Sequence, residues 1–323
     1  MIKVIASIVA AMISASAVAS NEIRISAIPR ASQSPILYGI QERLPAVAEK
    51  HGIKDAKIII VPSNSSALAL NQLPAGDIDL VMAALPAVIN KHIKDPGQLR
   101  MLAVVNTAIF TLVCKPYVKD IKDIKNKKYV ISMQSRNTSP HLAAKYIGKT
   151  VFGDPGALEG NLITQPADQA FQLMQDPSPG TVDCSLHGSP HNNLLEEKPG
   201  YNVLYRDDPV NGISSISNGI VITPKWLSKN EKLAKALIET INEVYAEFNR
   251  DKTRLVELFV KKDSINEDPK RLVRFYTQSQ VRAENRITPG IRRMIEFSES
   301  VGYVAPGASK NLDGLIWRSD LLK

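Results

Sequence analysis

The sequence predicts an α/β protein of two similar lobes, each built on a mainly parallel sheet, with the second lobe inserted into the first. Strand-like and helix-like segments alternate through the first two thirds of the chain, a pattern typical of parallel sheets covered by helices. A motif also occurs twice: NQLPAGDIDLVMAALP, from residue 71, returns as DPSPGTVDCSLHGSP. Gly76 and Asp79 of the first copy correspond to Gly180 and Asp183 of the second. A repeated plan of this kind predicts two lobes with one architecture.

Residues 1–19 have the pattern of a Sec signal peptide. Lys3 precedes an apolar run rich in small residues, and Ala17-Val18-Ala19 forms a cleavage site before Ser20. The run is too short and too rich in Ala and Ser for a membrane anchor. No Cys follows it, so lipid attachment is not expected. We therefore predict a mature protein that is free in the periplasm.

The composition bounds the class of protein. The chain has 323 residues, 44% of them hydrophobic and 22% charged, which is typical of a soluble globular protein with two domains. Its net charge of +8 indicates either a solvated basic surface or attraction for an anionic partner. No Lys/Arg block predicts a nucleic-acid site. Export permits a disulfide between Cys114 and Cys184, but both lie in predicted strands, and we expect two buried thiols.

The first lobe is assigned to residues 20–110 and 215–323. Ser34 caps its first helix, with Pro35 at the first helical position, where a missing N–H has no cost, and Gly52 ends that helix. The predicted strands are 22–28, 57–61, 80–83 and 99–106, and the predicted later helices start at 64–66 and at Pro86. After an extended return crossing at 213–223 come helices only, over 226–249, 252–260, 269–281 and 289–301. Trp317 is expected to pack against this lobe.

The second lobe is assigned to residues 111–214. The predicted strands are 110–114, 129–133, 162–164, 182–186 and 202–205. Between them we predict helices over 119–126 and 167–174 and two that start at Ser139-Pro140 and Ser189-Pro190, the pattern of the first lobe. Two crossings, near 108–114 and 209–219, join the lobes. Paired crossings predict a hinge.

The candidate ligand site lies where helices begin, because ligands of open parallel sheets bind beyond the carboxyl ends of the strands. A helix start carries unpaired N–H groups and about half a positive charge, so it attracts anions. Each such Ser or Thr is also explained by simple helix capping, and Arg136 is equally a solvated loop residue or a clamp for an acid group. The candidate ligand-binding residues are Ser34, Ser65, Ser66, Leu85, Arg136, Asn137, Thr138, Ser139, His187 and Asn218.

Catalysis, metal and cofactor binding have no support in the sequence. His187 and His191 are four residues apart, but Gly188-Ser189-Pro190 interrupts a helix between them and no H-E-x-x-H motif is present. No Gly-rich phosphate loop and no G-x-S-x-G elbow occurs. We expect no catalytic residue, no metal and no cofactor.

Several of these stretches resemble the periplasmic substrate-binding proteins of ABC importers, in the group that binds sulfonates, taurine, nitrate and thiamine precursors. The resemblance is carried by Ser65-Ser66-Ala67 before the Gly76-x-Ile78-Asp79 turn, by 102–106, by 122–128 and by Asn137-Thr138-Ser139-Pro140. It implies a type II periplasmic binding protein fold, hinge closure on one solute and delivery to a permease. Many relatives have an aromatic-Asp-Pro-aromatic sequence after the second turn, where this chain has Gly188-Ser189-Pro190-His191.

These observations predict an exported, monomeric solute-binding protein for a small organic anion such as a sulfonate, a taurine-like compound or a carboxylate. The expected partners are this solute and an ABC permease in the inner membrane. Three alternatives stay open: an extracytoplasmic sensor module, a binder of a pyrimidine or thiamine precursor that uses His187 and Asn218, and an enzyme on the same fold.

Overall fold

A computed structural model describes residues 21–29, 32–63, 65–213, 216–310, 312 and 314–317, so the predicted signal peptide lies outside the described residues. The strands are β1 (Glu22–Ala27), β2 (Lys57–Pro62), β3 (Leu80–Ala84), β4 (Arg100–Ala108), β5 (Thr111–Cys114), β6 (Ile131–Met133), β7 (Leu162–Thr164), β8 (Cys184–Ser185), β9 (Asn202–Arg206) and β10 (Ile216–Ile222). The helices are α1 (Ser34–Lys50), α2 (Ser66–Gln72), α3 (Leu85–Lys94), α4 (Ile121–Lys127), α5 (Ser139–Phe152), α6 (Ala167–Leu173), α7 (His191–Glu196), α8 (Pro224–Lys229), α9 (Glu231–Arg250), α10 (Thr253–Lys262), α11 (Pro269–Gln278) and α12 (Pro289–Ser300).

The described strands form two five-stranded sheets of the same plan. The first has the order β2-β1-β3-β10-β4 and the second the order β7-β6-β8-β5-β9. In each sheet the first three strands are parallel to one another, and the fourth pairs antiparallel with both of its neighbours. Those antiparallel strands, β10 and β5, are the strands that enter from the other sheet. The prediction of two mainly parallel α/β units is confirmed.

The Gly-x-[Ile/Val]-Asp repeat has a structural cause. The Asp79 backbone N–H donates to the carbonyl of Arg24 (2.9 Å), and the Arg24 N–H donates back to the Asp79 carboxylate (2.8 Å). Asp183 and Val130 form the same reciprocal pair in the second sheet, at 2.9 and 2.7 Å. Each Asp therefore fixes the start of one strand to its parallel neighbour, β3 to β1 and β8 to β6, at the end of the sheet remote from the helix starts.

Helices cover both sheets because each turns an apolar face inward. Helix α1 buries Ile36, Ile40 and Leu44, four residues apart, against the first sheet and against α9 and α10. A second hydrophobic cluster includes residues of α3, β4 and α12 together with residues of α5, β5 and β6. The two sheets are thus joined by shared apolar packing as well as by the crossings.

Three expectations are corrected. The predicted helix 226–249 is two helices, α8 and α9, which meet at Asn230, where the side chain donates to the carbonyl of Trp226 (2.9 Å). The helix expected at Ser189-Pro190 starts at His191.

Cys114 and Cys184 are not free thiols. They are opposite each other on β5 and β8, with Cα atoms 4.0 Å apart, and form a disulfide. Trp317 packs against the core of the first sheet, as predicted.

Candidate ligand-binding cleft

A cavity of about 490 Å³ lies between the two sheets, where their parallel strands end. From the first sheet its wall receives residues that follow β1, the last residue of β3, the first residue of α2 and Asn218 near the start of β10. From the second sheet it receives the residues that follow β6, β7 and β8. Because β10 runs antiparallel to its neighbours, its first residues reach the same edge as the last residues of the others.

The structure brings five of the ten predicted residues onto this wall and leaves five away from it. Those on the wall are Ser66, Thr138, Ser139, His187 and Asn218. Those away from it are Ser34, Ser65, Leu85, Arg136 and Asn137.

Local packing explains why Ser34, Leu85 and Ser65 of the first sheet do not reach the cavity. The prediction that Ser34 caps the first helix is wrong, because Ser34 is the first residue of α1 and is 2% exposed. Gln33 takes the N-cap position without a side-chain cap bond and lies on the wall instead. Leu85, the first residue of α3, is fully buried, and the preceding Ala84 lines the cavity. Ser65 caps α2, and its N–H donates to the hydroxyl of Ser63 (3.3 Å).

Arg136 and Asn137 are engaged beside the cleft rather than in it. The Arg136 guanidinium donates to Glu159 (2.6 Å), and the same carboxylate contacts His141 (2.9 Å) and Lys145 (2.8 Å). Burial alone would raise the pKa of Glu159, but these three hydrogen bonds outweigh it and lower the pKa to about 2. The Asn137 N–H donates to His141 Nδ1 (3.2 Å), which ties the loop before α5 to this ion-pair cluster.

Three serines of the wall are the candidate donors for a ligand. Ser66 Oγ accepts the N–H of Ala84 (3.1 Å), so its own proton is left to donate. Ser139 stands at the start of α5, a helix of 14 residues whose N-terminus carries partial positive charge. Ser189 is 8% exposed, and its hydroxyl has no hydrogen-bond partner in the described structure. The hydroxyl of Thr138, by contrast, already donates to the carbonyl of Ser135 (2.5 Å).

His187 is a neutral part of the wall. It is 3% exposed, and burial, with a smaller contribution from nearby His191, lowers its pKa to about 3. Its Nε2 lies 3.1 Å from the hydroxyl of Ser132, which lies 3.3 Å from Gln165 Oε1. The ring therefore presents a neutral hydrogen-bonding edge at physiological pH rather than a positive charge.

One wall residue that carries charge, Asp168, was not among the predicted ligand residues. Asp168 lies at the start of α6 and contacts His191 Nε2 at 2.7 Å. Among the described residues of the wall there is no Lys or Arg, and Asp168 is the one Asp or Glu. The sequence pattern could have indicated Asp168, since α6 follows a parallel strand as α5 does, but the start of α6 was not among the helix starts from which the candidate residues were chosen.

No group of three or more His, Cys, Asp or Glu side chains is arranged to hold a metal ion in the part of the chain that the structure describes. The described helices also include none with the length and apolar character needed to span a bilayer.

No protein-family model and no curated protein matches this sequence. Solved structures do match it. A putative periplasmic sulfonate-binding protein of an ABC transporter from Methylobacillus flagellatus is 16% identical, with a TM-score of 0.66 over 92% of this chain and 91% of that one. An alkanesulfonate-binding protein from Xanthomonas axonopodis, solved with MOPS bound, is 14% identical (TM-score 0.65, coverage 92% and 98%).

A periplasmic nitrate-binding protein from Synechocystis is 13% identical, with a TM-score of 0.65 over 93% of this chain and 87% of that one. At 13–16% sequence identity, these matches show similarity of fold. The agreement extends over nearly the whole of both chains in all three comparisons. The chain therefore has the periplasmic binding protein fold.

Proposed function

We propose that this protein binds a small organic anion, such as a sulfonate, a taurine-like compound or a carboxylate, in the cleft between the sheets and delivers it to an ABC permease. Residues 20–110 with 215–323 form one lobe in this proposal and residues 111–214 the other, and the lobes close on the solute by rotation at the crossings. The observation that supports the proposal is Ser189, a residue of the cavity wall whose buried hydroxyl has no hydrogen-bond partner in the described structure and which shares the wall with Ser66 and Ser139.

Neutral donors are sufficient for useful affinity. A hydrogen bond to a charged oxygen contributes about 1.5–3 kcal/mol, and a helix N-terminus about 0.3–1 kcal/mol, or about 2 when partly buried. Micromolar binding requires about 8 kcal/mol. Bonds from Ser66, Ser139 and Ser189 together with the start of α5 would contribute about 5–11 kcal/mol, a range that includes this value without an ion pair.

The charges of the wall favour a compact, singly charged acid group. A di-anion would need compensating cations, and the described wall offers no Lys or Arg. The one carboxylate there, that of Asp168, is paired with His191. A ligand with an amine opposite its acid group, as in taurine, has a partner in Asp168.

A neutral heterocycle such as a pyrimidine is the second candidate, and the neutral ring of His187 favours it. The His187 edge and the amide of Asn218, which lies 3.4 Å from Gln33 Oε1, provide both donors and acceptors for ring atoms. A sensor with the same cleft would bind the same solutes, so it differs in partner and not in site.

Thermal denaturation of the mature protein against sulfonates, carboxylates, nitrate and pyrimidines tests the proposal. A ligand at 100 times its dissociation constant stabilises the folded state by about 2.7 kcal/mol. We expect at least one sulfonate or carboxylate to raise the melting temperature in this way. Stabilisation by pyrimidines alone would contradict the anion proposal, and stabilisation by none of the four classes would contradict binding in the cleft.

A further inference from the structure

Tyr303 connects the first sheet's helices to the helix start that faces the cavity. It follows α12 and is 9% exposed. Its carbonyl accepts the side-chain amide of Asn90 on α3 (2.8 Å), which fixes it to the first-sheet side. Its hydroxyl donates to the carbonyl of Thr138 on the second-sheet side (2.7 Å), and its ring lies 5.4 Å from that of His141.

Thr138 is the point where the cleft and α5 meet. It is the N-cap residue of α5, and its carbonyl also accepts the first helical N–H, that of Leu142 (3.0 Å). Thr138 lines the cavity next to Ser139. A bond to the Thr138 carbonyl therefore fixes the position of the α5 N-terminus relative to the first sheet.

The rest of α12 makes further contacts of this kind. Arg293 donates to the carbonyl of Gly212 (2.9 Å) in the second crossing, and the ring of Phe297 packs at 5.1 Å on Tyr146 of α5. The segment from α12 to Tyr303 thus touches the second crossing, the body of α5 and the start of α5. Of these contacts, the Tyr303 hydroxyl is the one that reaches the cleft wall.

We propose that Tyr303 is a positioning residue for the cleft: by holding the Thr138 carbonyl from the opposite lobe, it sets the lobe separation at which the donors of the two walls face one ligand. The inference rests on the proposed function, because it assumes that the two lobes move and that the cleft is the ligand site. It does not depend on which solute binds.

The test measures lobe separation without any ligand. Both cysteines of the sequence are in the disulfide, so two introduced cysteines can carry spin labels selectively. Leu68→Cys on α2 and Gln169→Cys on α6 place exposed labels on helices at the two sides of the cleft. Double electron–electron resonance then gives the distance distribution in the parent and in Tyr303→Phe, which keeps the ring and removes the hydroxyl.

Tyr245→Phe is the matched control. The Tyr245 hydroxyl also donates to a backbone carbonyl, that of Val104 (2.5 Å), and is also buried, but both residues belong to the first-sheet side. The two variants lose the same kind of hydrogen bond and should lose similar stability. Only Tyr303→Phe should add a longer-distance population. Asn90→Ala, which frees the Tyr303 carbonyl and keeps the hydroxyl, should widen the distribution in the same direction.

A titration with ethanesulfonate forms the second arm. If it binds the parent, Tyr303→Phe should weaken its affinity roughly 2- to 10-fold, and Tyr245→Phe should leave it unchanged. Failure of ethanesulfonate to bind the parent counts against this solute class and not against Tyr303. Superimposable distance distributions for the parent, Tyr303→Phe and Asn90→Ala would overturn the inference, as would the same change in Tyr245→Phe.

Discussion

Replacing Asp207 by asparagine should stabilise the protein, and more at alkaline than at acid pH. Asp207 follows β9, just before the second crossing, and is 2% exposed. Neither carboxylate oxygen has a hydrogen-bond partner of good geometry. The turn closes directly on it, because a Cβ added at Gly212 would lie 2.1 Å from Asp207 Oδ1. A charge in this place has lost water, and the polar groups around it compensate only part of that loss.

Burial raises the pKa of Asp207 from 3.8 to about 7, although the N–H of Asp208, Arg293 and the N–H of Ile213 oppose the shift. Between these pH values the folded protein keeps a proton that the unfolded chain releases, so stability falls as pH rises. At 1.36 kcal/mol per pH unit the ceiling is about 4 kcal/mol. Because the crossing can relax and admit water, we expect about 1–2 kcal/mol at pH 8 and close to zero near pH 4.

Urea denaturation of both proteins from pH 4 to pH 8 measures this difference. Asp208→Asn is the control, since exposed Asp208 accepts the N–H groups of Val210 and Asn211, which lower its pKa. That variant should lose stability slightly, and the loss should not grow above pH 5. A gain for Asp207→Asn that is the same at pH 5 and pH 8, or no gain at pH 8, would refute the reasoning.

Three further predictions concern single groups. The affinity of the cleft for its ligand should be flat between pH 5 and pH 8 in isothermal titration if His187 contacts it, because the ring stays neutral above about pH 3; a step near pH 6.5 would contradict this. In urea denaturation above pH 5, Glu159→Gln should lower the free energy of unfolding by about 1–2 kcal/mol, and this difference from the parent should disappear as the pH falls towards 2. The control Glu267→Gln removes a single surface ion pair and should lower the free energy of unfolding by about 0–1 kcal/mol. The double variant Cys114→Ala, Cys184→Ala should lose about 2–4 kcal/mol, and equal stability of variant and parent would argue against the disulfide.

The fold was predictable where local signals repeat. The Gly-x-[Ile/Val]-Asp turn occurs twice because its Asp has the same role in both sheets: Asp79 fixes β3 to β1, and Asp183 fixes β8 to β6. The starts of α1 and α5 were also visible in the sequence, because Pro at the first turn removes no helical hydrogen bond and is therefore typical of helix starts.

The misses come from contacts between distant residues. Pairing of Cys114 with Cys184 depends on β5 lying beside β8, and this neighbourhood follows from sheet order and not from the cysteines themselves. Arg136 was a candidate clamp because its ion-pair partner Glu159 is 23 residues away in the sequence, so the local pattern did not reveal the pair. Nothing local distinguished Ser189, whose importance comes from burial without a partner.

The most direct test of the central claim is isothermal titration of the best-stabilising sulfonate or carboxylate into the parent and into Ser189→Ala. An unpartnered buried hydroxyl costs stability unless a ligand uses it. We therefore predict that Ser189→Ala folds at least as stably as the parent but binds roughly 10-fold more weakly, the effect of a charged hydrogen bond. Ser228→Ala, which changes an exposed serine on α8, should bind like the parent. Unchanged affinity in Ser189→Ala would contradict the assignment of this cleft as the anion site.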